Sequence, residues 1–377
     1  MPNLFLNEKI FKLEIFKEKN TMKQIRVLVV GCGNMGSSHA QAYHSLPGFD
    51  ICGLVSRNDS NKVLNEKLGE HYALFNDFYK ALAETKPDAV SISTYPDTHE
   101  GFAIKAFEEG CHVFIEKPLA DSVAGAERVA EAAHKAGKKL VVGYILNHHP
   151  SWIRFINLSQ KLGKPLVMRM NLNQQSHGHM WTVHQNLMKT LSPVVDCGVH
   201  YIDVMCQMTR SKPIQVSAIG ARLTENIPEG NYNYGQLQIR FQDGSVGWYE
   251  AGWGPMISET AFFVKDVIGP KGSVSIVAKE AGSGSKSDSI EAHTKTESIR
   301  IHYATLDKDG NFTKEDLWVN MEDEPDHQEL CNREQRFFLK SIRENLDLTD
   351  HIVDAINSLR IAFACDESVR TGKMILL

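Results

Sequence analysis

Over the first 145 residues, short apolar runs alternate with longer stretches in which apolar residues recur every three or four positions. The short runs predict β-strands, and the amphipathic stretches predict helices between them. Such alternation is typical of a parallel sheet that is wound with helices on both faces. The predicted strands span residues 25–30, 51–55, 89–93, 112–115 and 140–144, and the predicted helices span 63–68, 75–85, 98–109 and 123–136.

After residue 160 the pattern changes to a period of two. Apolar and polar residues alternate over 166–173 and again over 237–242, where an Asp-Gly turn follows. This period predicts strands with one buried face, so we expect an open, largely antiparallel mixed sheet with helices on one side. We expect Trp248 to be exposed on the outer face of that sheet. An apolar stripe after Thr349 predicts a C-terminal helix.

These patterns predict an α/β protein with two domains, at residues 23–145 and 146–377, in which a C-terminal helix packs back on the first domain. Residues 1–22 mix apolar residues with lysines and glutamates and lack the apolar core of a secretory signal. We interpret them as an N-terminal extension, either upstream of the true start or a loosely docked helix. The segment 281–289, rich in serine and glycine, predicts a mobile loop.

Composition narrows the classes of function. The chain has 377 residues, 42% of them hydrophobic, and a net charge of −5 without a basic block, which makes nucleic acid an unexpected partner. No run approaches the roughly 20 apolar residues of a membrane span. The seven cysteines form no Cys-x-x-Cys pair, so we expect reduced thiols, a cytoplasmic location and no metal.

A glycine-rich loop follows the first predicted strand and begins a helix. It contains Gly31, Gly33 and Gly36 in a Gly-x-Gly-x-x-Gly pattern, with Asn34 and Met35 inside it. In this context the first glycine permits a tight turn, the second lets a pyrophosphate approach the backbone, and the third lets the helix pack on the strand. The loop therefore predicts a dinucleotide site at the helix N-terminus.

With four further motifs, the chain resembles the Gfo/Idh/MocA family of NAD(P)-dependent oxidoreductases from about residue 23 to its end. The resemblance implies an N-terminal Rossmann domain, a C-terminal α/β domain, an active site in the cleft between them, and homodimers or homotetramers formed sheet to sheet. The further motifs are Thr-Tyr-Pro-Asp-Thr-His at 94–99, Glu-Lys-Pro at 116–118, Gly-Tyr at 143–144, and Asp-x-x-x-His-x-x-Asp at 196–203.

Hydride transfer from a carbinol carbon requires a base for the hydroxyl proton and a positive charge near the developing alkoxide. The resemblance implies that Lys117, Asp196 and His200 are the catalytic group. We expect His200 to accept the hydroxyl proton in oxidation and to donate it in reduction. Lys117 would orient the reacting oxygen and stabilise its charge, and Asp196 would bind a neighbouring hydroxyl. On a helix that starts near Pro193, residues 196 and 200 share a face. Asp203 is interpreted as a structural hydrogen-bonding residue.

The end of the second strand bears on the choice of cofactor. An acidic residue there would bind the ribose hydroxyls of NAD, but this chain has Ser56 and Arg57, which suit the 2′-phosphate of NADP. We therefore favour NADP(H), with NAD(H) as the alternative. The predicted cofactor-binding residues are Gly31, Gly33, Asn34, Met35, Gly36, Ser56, Arg57, Thr94, Pro96, His99, Glu116 and Lys117; His99 could instead cap the following helix.

Residues 144–184 are rich in histidine and tryptophan, which suit a polyhydroxylated ring at the substrate end of a cleft. His177 and His179 could suggest a metal, but no carboxylate or cysteine lies at a ligand-like interval near them. The arginine that the family usually has after Gly-Tyr is not evident, which leaves the substrate undefined. The predicted substrate-binding residues are Lys117, Tyr144, His148, His179, Trp181, Asp196 and His200.

The main hypothesis is a dehydrogenase or reductase that acts on CH–OH groups of a sugar, a cyclitol or a sugar derivative. A glycosidase that oxidises its substrate transiently with bound NAD is a second hypothesis. A sugar- or nucleotide-sensing regulator without turnover is a third, although such a protein would not need Lys117 and His200.

Overall fold

The computed structural model describes residues 23–69, 71–258, 264–277, 294, 296–322 and 324–377. The predicted extension at 1–22 and the predicted loop at 281–289 lie outside the described residues. The described chain divides into two compact units. The first comprises the residues up to Gly143 together with Gln328–Ile352, and the second comprises Tyr144–His327 and Val353–Leu377.

The first unit contains a parallel sheet of six strands in the order β3-β2-β1-β4-β5-β6. The central strand β4 is buried along its whole length, as expected for a strand covered on both faces. The strands are β1 (Ile25–Val30), β2 (Phe49–Val55), β3 (Leu74–Phe75), β4 (Ala89–Ile92), β5 (His112–Glu116) and β6 (Leu140–Gly143), and the helices are α1 (Asn34–Ser45), α2 (Ser60–Leu68), α3 (Phe78–Thr85), α4 (His99–Glu108) and α5 (Val123–Ala136).

The predicted doubly wound parallel sheet is confirmed, but two helices begin at other residues than predicted. The helix predicted at 63–68 begins three residues earlier, at Ser60. The helix predicted at 75–85 begins three residues later, at Phe78, and Phe75 belongs to the short edge strand β3. Asp77 explains the difference, because its carboxylate accepts the backbone N–H of Lys80 at 2.7 Å and so caps the helix that starts at Phe78.

A later segment of the chain completes the core of the first unit. Helix α9 (His327–Arg343) brings Phe338, which is fully buried, against the sheet. The ring of Phe338 stacks on Phe49 at a centroid distance of 6.2 Å and also contacts Phe114 at 6.1 Å. Apolar contacts therefore tie α9 to strands β2 and β5.

The second unit contains a sheet of nine strands in the order β14-β13-β12-β11-β7-β10-β9-β8-β15. Strand β7 pairs in parallel with β10 and antiparallel with β11, which confirms the mixed, mostly antiparallel sheet. The strands are β7 (Val167–Gln175), β8 (Pro213–Ala221), β9 (Tyr234–Phe241), β10 (Val246–Gly254), β11 (Lys265–Gly269), β12 (Gly272–Val277), β13 (Ser298–Tyr303), β14 (Leu317–Asn320) and β15 (Ile375–Leu376), and the helices are α6 (Pro150–Ser159), α7 (Gly178–Leu187), α8 (Val199–Thr209) and α10 (Thr349–Thr371).

The two faces of this sheet differ as the period of two predicts. Met168 and Met170 are fully buried, whereas the alternate residue Val167 is 38% exposed. Trp248, expected to be exposed, is half-buried, and Val246 and Ile219 are exposed instead. Pairing of this face with a second copy of the chain stays a prediction.

Among the described helices, none combines the length and apolar character that spanning a bilayer requires.

Candidate active site

The glycine loop joins β1 to α1 at the carboxyl edge of the parallel sheet. Gly31 has a φ of +90°, and a Cβ there would lie 2.3 Å from the carbonyl oxygen of Ser93. A Cβ on Gly36 would lie 1.9 Å from the carbonyl oxygen of Gly31. These two positions therefore require glycine, one for the turn and the other for the close approach of helix and turn.

Gly33 differs from the other two glycines, because a Cβ there would meet no atom within 4 Å. It is the N-cap of α1, whose first turn has no acidic residue and no side chain bonded as a cap. Asn34 is exposed beside it, and Met35 is half-buried. An open backbone at an uncapped helix N-terminus fits the pyrophosphate of a dinucleotide cofactor.

The end of β2 carries hydroxyl and amide groups. The hydroxyl of Ser56 lies 2.9 Å from Oδ1 of Asn58 and 2.7 Å from the hydroxyl of Ser60. Arg57 is exposed. Asp59, the nearest carboxylate along the chain, pairs with Lys62 at 2.8 Å. The end of β2, where doubly wound folds bind the adenosine ribose of a dinucleotide, thus carries a hydroxyl and a guanidinium.

The loop after β4 is held from within by His99. The hydroxyl of Thr94 lies 2.7 Å from that of Thr98, and Pro96 begins a short 3₁₀ turn, Pro96–Thr98. The ring of His99 is fully buried, which lowers its pKa and leaves it closed to a cofactor. It does not cap α4, whose N-cap is Thr98 and has no side-chain hydrogen bond. Its nitrogens lie 2.8 Å from the carbonyl oxygen of Pro118 and 3.1 Å from that of Thr94.

Glu116 and Lys117 follow at the carboxyl end of β5. Lys117 is half-buried, while Glu116 is 6% exposed with its carboxylate turned inwards. One oxygen of Glu116 lies 2.7 Å from Nε2 of His39, and the other accepts the backbone N–H of Lys117 at 3.1 Å. Glu116 and His99 were both predicted to bind the cofactor. Their buried side chains instead hold the loops that follow β4 and β5.

In the second unit, Asp196 and His200 lie on two different kinds of helical turn. Residues Val194–Gly198 form a π-helical turn, and α8 begins at Val199. The uninterrupted helix predicted from Pro193 is thus broken by a wider turn. That Asp196 and His200 share a face across this change of turn stays a prediction. Both side chains are half-buried.

Tyr144 supports the ring of His200. The two rings meet edge to face at a centroid distance of 5.7 Å. Tyr144 is 1% exposed, and its hydroxyl lies 2.8 Å from that of Ser358. Burial raises the pKa of this phenol further above its usual range. Tyr144, predicted to bind substrate, therefore packs behind His200 with its hydroxyl turned into the interior.

The other histidines predicted at the substrate end are dispersed. His148 is half-buried at the end of a 3₁₀ turn, and His179 is exposed at the start of α7. Trp181 packs against the cluster of Met188, Ile227 and Trp253. Among the described residues, the group spaced to share a metal ion is His39, Cys331 and Glu334, which includes none of these histidines.

Three residues that form a hydrogen-bonded group beginning next to Asp196 were missed in the sequence: Cys197, Gln174 and Trp253. Cys197 lies next to Asp196, with its thiol 3.6 Å from Oε1 of Gln174. The same amide oxygen accepts the indole N–H of Trp253 at 2.6 Å. Gln174 and Trp253 are neighbours because β7 and β10 pair in parallel. Alternation located β7, but no local signal gives the pairing of strands so far apart in the chain.

Asp203 is a buried acid one turn beyond His200. Nε2 of Gln207 donates to it at 2.7 Å, as its structural interpretation predicts. Burial and the negative charge of Asp354 raise the pKa of Asp203 to about 8, against hydrogen bonds from Asn147 and Gln207 and the charge of Arg210. Near neutral pH this acid is therefore mostly protonated.

Comparison with known proteins agrees with this architecture. Residues 25–144 match a family model described as "Oxidoreductase family, NAD-binding Rossmann fold", and residues 154–275 match the GFO/IDH/MocA C-terminal domain. The apo scyllo-inositol dehydrogenase of Lactobacillus casei has the same fold, with a TM-score of 0.73 at 20% identity over 94% of this chain and 99% of that one.

Two curated relatives are inositol dehydrogenases. Inositol 2-dehydrogenase of Paracoccus denitrificans is 27% identical over 48% of this chain and 53% of its own length, so this chain matches about half of that relative. The scyllo-inositol 2-dehydrogenase (NAD(+)) of Bacillus subtilis is 28% identical over 67% of this chain and 74% of its own length.

The fold, the glycine loop and the matched domains agree with the family that the first model describes as oxidoreductases with an NAD-binding Rossmann fold. Since the two family models together match most of the chain, with one match in each unit, the chain belongs to the Gfo/Idh/MocA family.

The glycine loop gives a first prediction. Gly36→Ala should lower the thermal midpoint by several degrees, equivalent to about 2 kcal/mol or more, because its Cβ meets backbone. Gly33→Ala should leave the midpoint unchanged but weaken NAD(P)H binding about tenfold, since its methyl group faces open space. Differential scanning fluorimetry and NADH fluorescence titration measure the two effects. Gly101→Ala, also without neighbours within 4 Å, is the control. Equal effects at positions 33 and 36 would contradict the assignment.

Asp203 gives a second prediction, on stability against pH. Its native pKa of about 8 exceeds the ordinary value of 3.8, so the native state holds this proton where the unfolded state has lost it. Stability is therefore lost as the pH rises between those values, by up to about 1.4 kcal/mol per pH unit. Asp203→Asn should flatten this slope in urea unfolding at pH 5 to 8. The exposed Asp309→Asn is the control, and an unchanged slope in Asp203→Asn would refute the prediction.

Proposed function

We propose that the protein is an NAD(P)-dependent dehydrogenase or reductase that transfers a hydride between a nicotinamide and a hydroxyl or keto carbon of a cyclitol, a sugar or a sugar derivative. The observation that carries the proposal is the half-buried Lys117 after β5, at the same sheet edge as the glycine loop after β1. Ligands of doubly wound sheets bind at this edge. The names of the Paracoccus and Bacillus relatives support a cyclitol substrate and neither alternative function.

In this proposal Lys117, Asp196 and His200 act on one substrate. The nicotinamide, when bound, accepts or returns the hydride. His200 takes the hydroxyl proton during oxidation and gives it back during reduction, with its ring held by Tyr144. Lys117 orients the reacting oxygen and stabilises its charge, and Asp196 accepts a hydrogen bond from a neighbouring hydroxyl.

The more exposed residues of the second unit are proposed to contact the remainder of the substrate. His179 offers an exposed imidazole, and Trp181 offers a half-buried aromatic face to a ring. His148 joins them in the proposed set. A cytoplasmic location and a homodimer or homotetramer stay predictions.

The catalytic roles are tested by substitution. Lys117→Ala and His200→Ala should each lower kcat by about 10²-fold or more, because each removes a group that acts in the transition state. The measurement is nicotinamide absorbance over a panel of inositols, aldoses, glucosides and sugar acids. The exposed pair His134→Ala and Lys135→Ala on α5 provides matched controls. Turnover at the wild-type rate in either active-site variant would rule out this mechanism.

We also propose that the protein prefers NADP(H), because Ser56 and the exposed Arg57 suit its 2′-phosphate. The alternative is a preference for NAD(H), since the name of the Bacillus relative contains NAD(+). Arg57→Ala should lower kcat/KM with NADP(H) about tenfold and leave that with NAD(H) nearly unchanged, since a guanidinium pairs with the 2′-phosphate alone. Steady-state kinetics with both cofactors measure the ratio. Lys62→Ala, which removes an exposed cation nearby, is the control. An unchanged ratio in Arg57→Ala would remove the argument for NADP(H).

A further inference from the structure

Two buried histidines hold the chain on either side of Lys117. His39 of α1 bonds to the carboxylate of Glu116, the residue before the lysine, at 2.7 Å. His99 of α4 lies 2.8 Å from the carbonyl oxygen of Pro118, the residue after it. Both imidazoles are 0% exposed, so neither can itself meet a substrate.

On the first side, the contact reaches the backbone of the lysine itself. Glu116 uses one carboxylate oxygen for His39 and the other for the backbone N–H of Lys117, at 3.1 Å. A carboxylate that is fixed at one oxygen has little freedom at the other. The imidazole therefore determines where the peptide N–H of Lys117 is held, through a chain of two hydrogen bonds.

On the other side, His99 connects two loops. Its second nitrogen lies 3.1 Å from the carbonyl oxygen of Thr94, in the loop after β4. The ring thus lies between the loops that follow two neighbouring strands, and because both partners are carbonyl oxygens, the neutral imidazole donates to one of them and contacts the other. A displacement of His99 would affect the loop of Lys117 and the loop that contains Thr94 and Pro96, two of the predicted cofactor-binding residues.

Behind His39 lies helix α9, which contributes Glu334 and Gln335. The amide nitrogen of Gln335 lies 3.0 Å from Nδ1 of His39. Glu334 is 1% exposed, and neither of its carboxylate oxygens has a hydrogen-bond partner among the described residues. Burial and the charge of Glu116 raise the pKa of Glu334 well above its usual range. A raised pKa favours the neutral form of Glu334 beside the carboxylate of Glu116.

We propose that His39 and His99 are positioning residues that hold Lys117 in place for catalysis. The proposal rests on the proposed function, in which Lys117 acts on the substrate. The lysine side chain is long and flexible, so its reach depends on where its backbone is held. A misplacement of about 1 Å in a catalytic group can cost about 10²-fold in rate.

A metal site formed by His39, Cys331 and Glu334 is the competing interpretation of this buried cluster. Potential ligand atoms of His39, Cys331 and Glu334 all lie within 4.8 Å of one another, which is close enough to share a metal ion. However, both nitrogens of His39 already have hydrogen-bond partners, Glu116 and Gln335. We therefore favour the hydrogen-bonded network, and stoichiometric metal in the purified protein, lost in Glu334→Gln, would overturn it.

The experiment compares His39→Gln, His99→Gln and Lys117→Ala in the full chain. We expect both histidine variants to lower kcat about 10- to 100-fold while KM for the substrate changes less than threefold. The rate at which trinitrobenzenesulfonate labels Lys117, followed by mass spectrometry against the exposed Lys67, should change at least threefold. His112→Gln is the matched control, because His112 accepts the Lys139 N–H at 3.0 Å at the opposite end of β5.

The outcomes separate this proposal from the proposed function. If Lys117→Ala is inactive while both histidine variants keep wild-type kcat and labelling, the positioning role is wrong and the proposed function stands. If Lys117→Ala is fully active, the proposed function fails whatever the labelling shows. Should both histidine variants fail to fold, amide hydrogen exchange at Lys117 in the wild-type protein decides. A protected amide supports the network, and an unprotected one overturns it.

Discussion

The close approach of helix α1 to the turn after β1 is the steric constraint on which the first unit depends. The backbone of Gly36 lies so near the carbonyl of Gly31 that no side chain fits between them, and Gly31 itself leaves no room for a side chain against the carbonyl of Ser93 after β4. This contact fixes the N-terminus of α1 at the carboxyl edge of the sheet. It also sets the place of His39, one turn further along α1, from which the ring reaches Glu116. A steric requirement for glycine and the position of a proposed catalytic lysine are therefore linked through one helix.

Local patterns in the sequence account for most of the fold. The period of two over 166–173 predicts the strand that the structure has at Val167–Gln175, because alternate burial of side chains is a property of the strand itself. The three glycines of the loop could each be given a separate role, since the requirement at each position comes from its immediate neighbours. Where a cap competes with periodicity, as Asp77 does before α3, the pattern alone places the helix boundary wrongly.

The supporting residues of the site could not be predicted in this way. His39 and Gln335 are 296 positions apart, and Gln174 and Trp253 are 79 apart. Their contacts follow from the order of strands and from the return of α9, neither of which leaves a local signal. For the same reason, the sequence assigned Glu116, His99 and Tyr144 to ligand contact, whereas their side chains are buried behind the loops and rings that they support. A motif indicates which residues belong to a site, but it does not tell which of them face the ligand.

Each unit also contains a buried acid near a proposed catalytic residue: Glu334 behind the Glu116–His39 pair, and Asp203 one turn beyond His200. An acid in such a place lowers stability relative to an apolar side chain of the same size unless its hydrogen bonds are complete. Glu334 has no such bonds among the described residues, and Asp203 has them at one oxygen only. Departures from the usual rules of core composition are expected where residues are retained for function rather than stability. Because a carboxylate oxygen of Glu334 lies within 4.8 Å of a ring nitrogen of His39 and Asp203 lies one helical turn from His200, we explain the polar interior of each unit as support for its half of the chemistry.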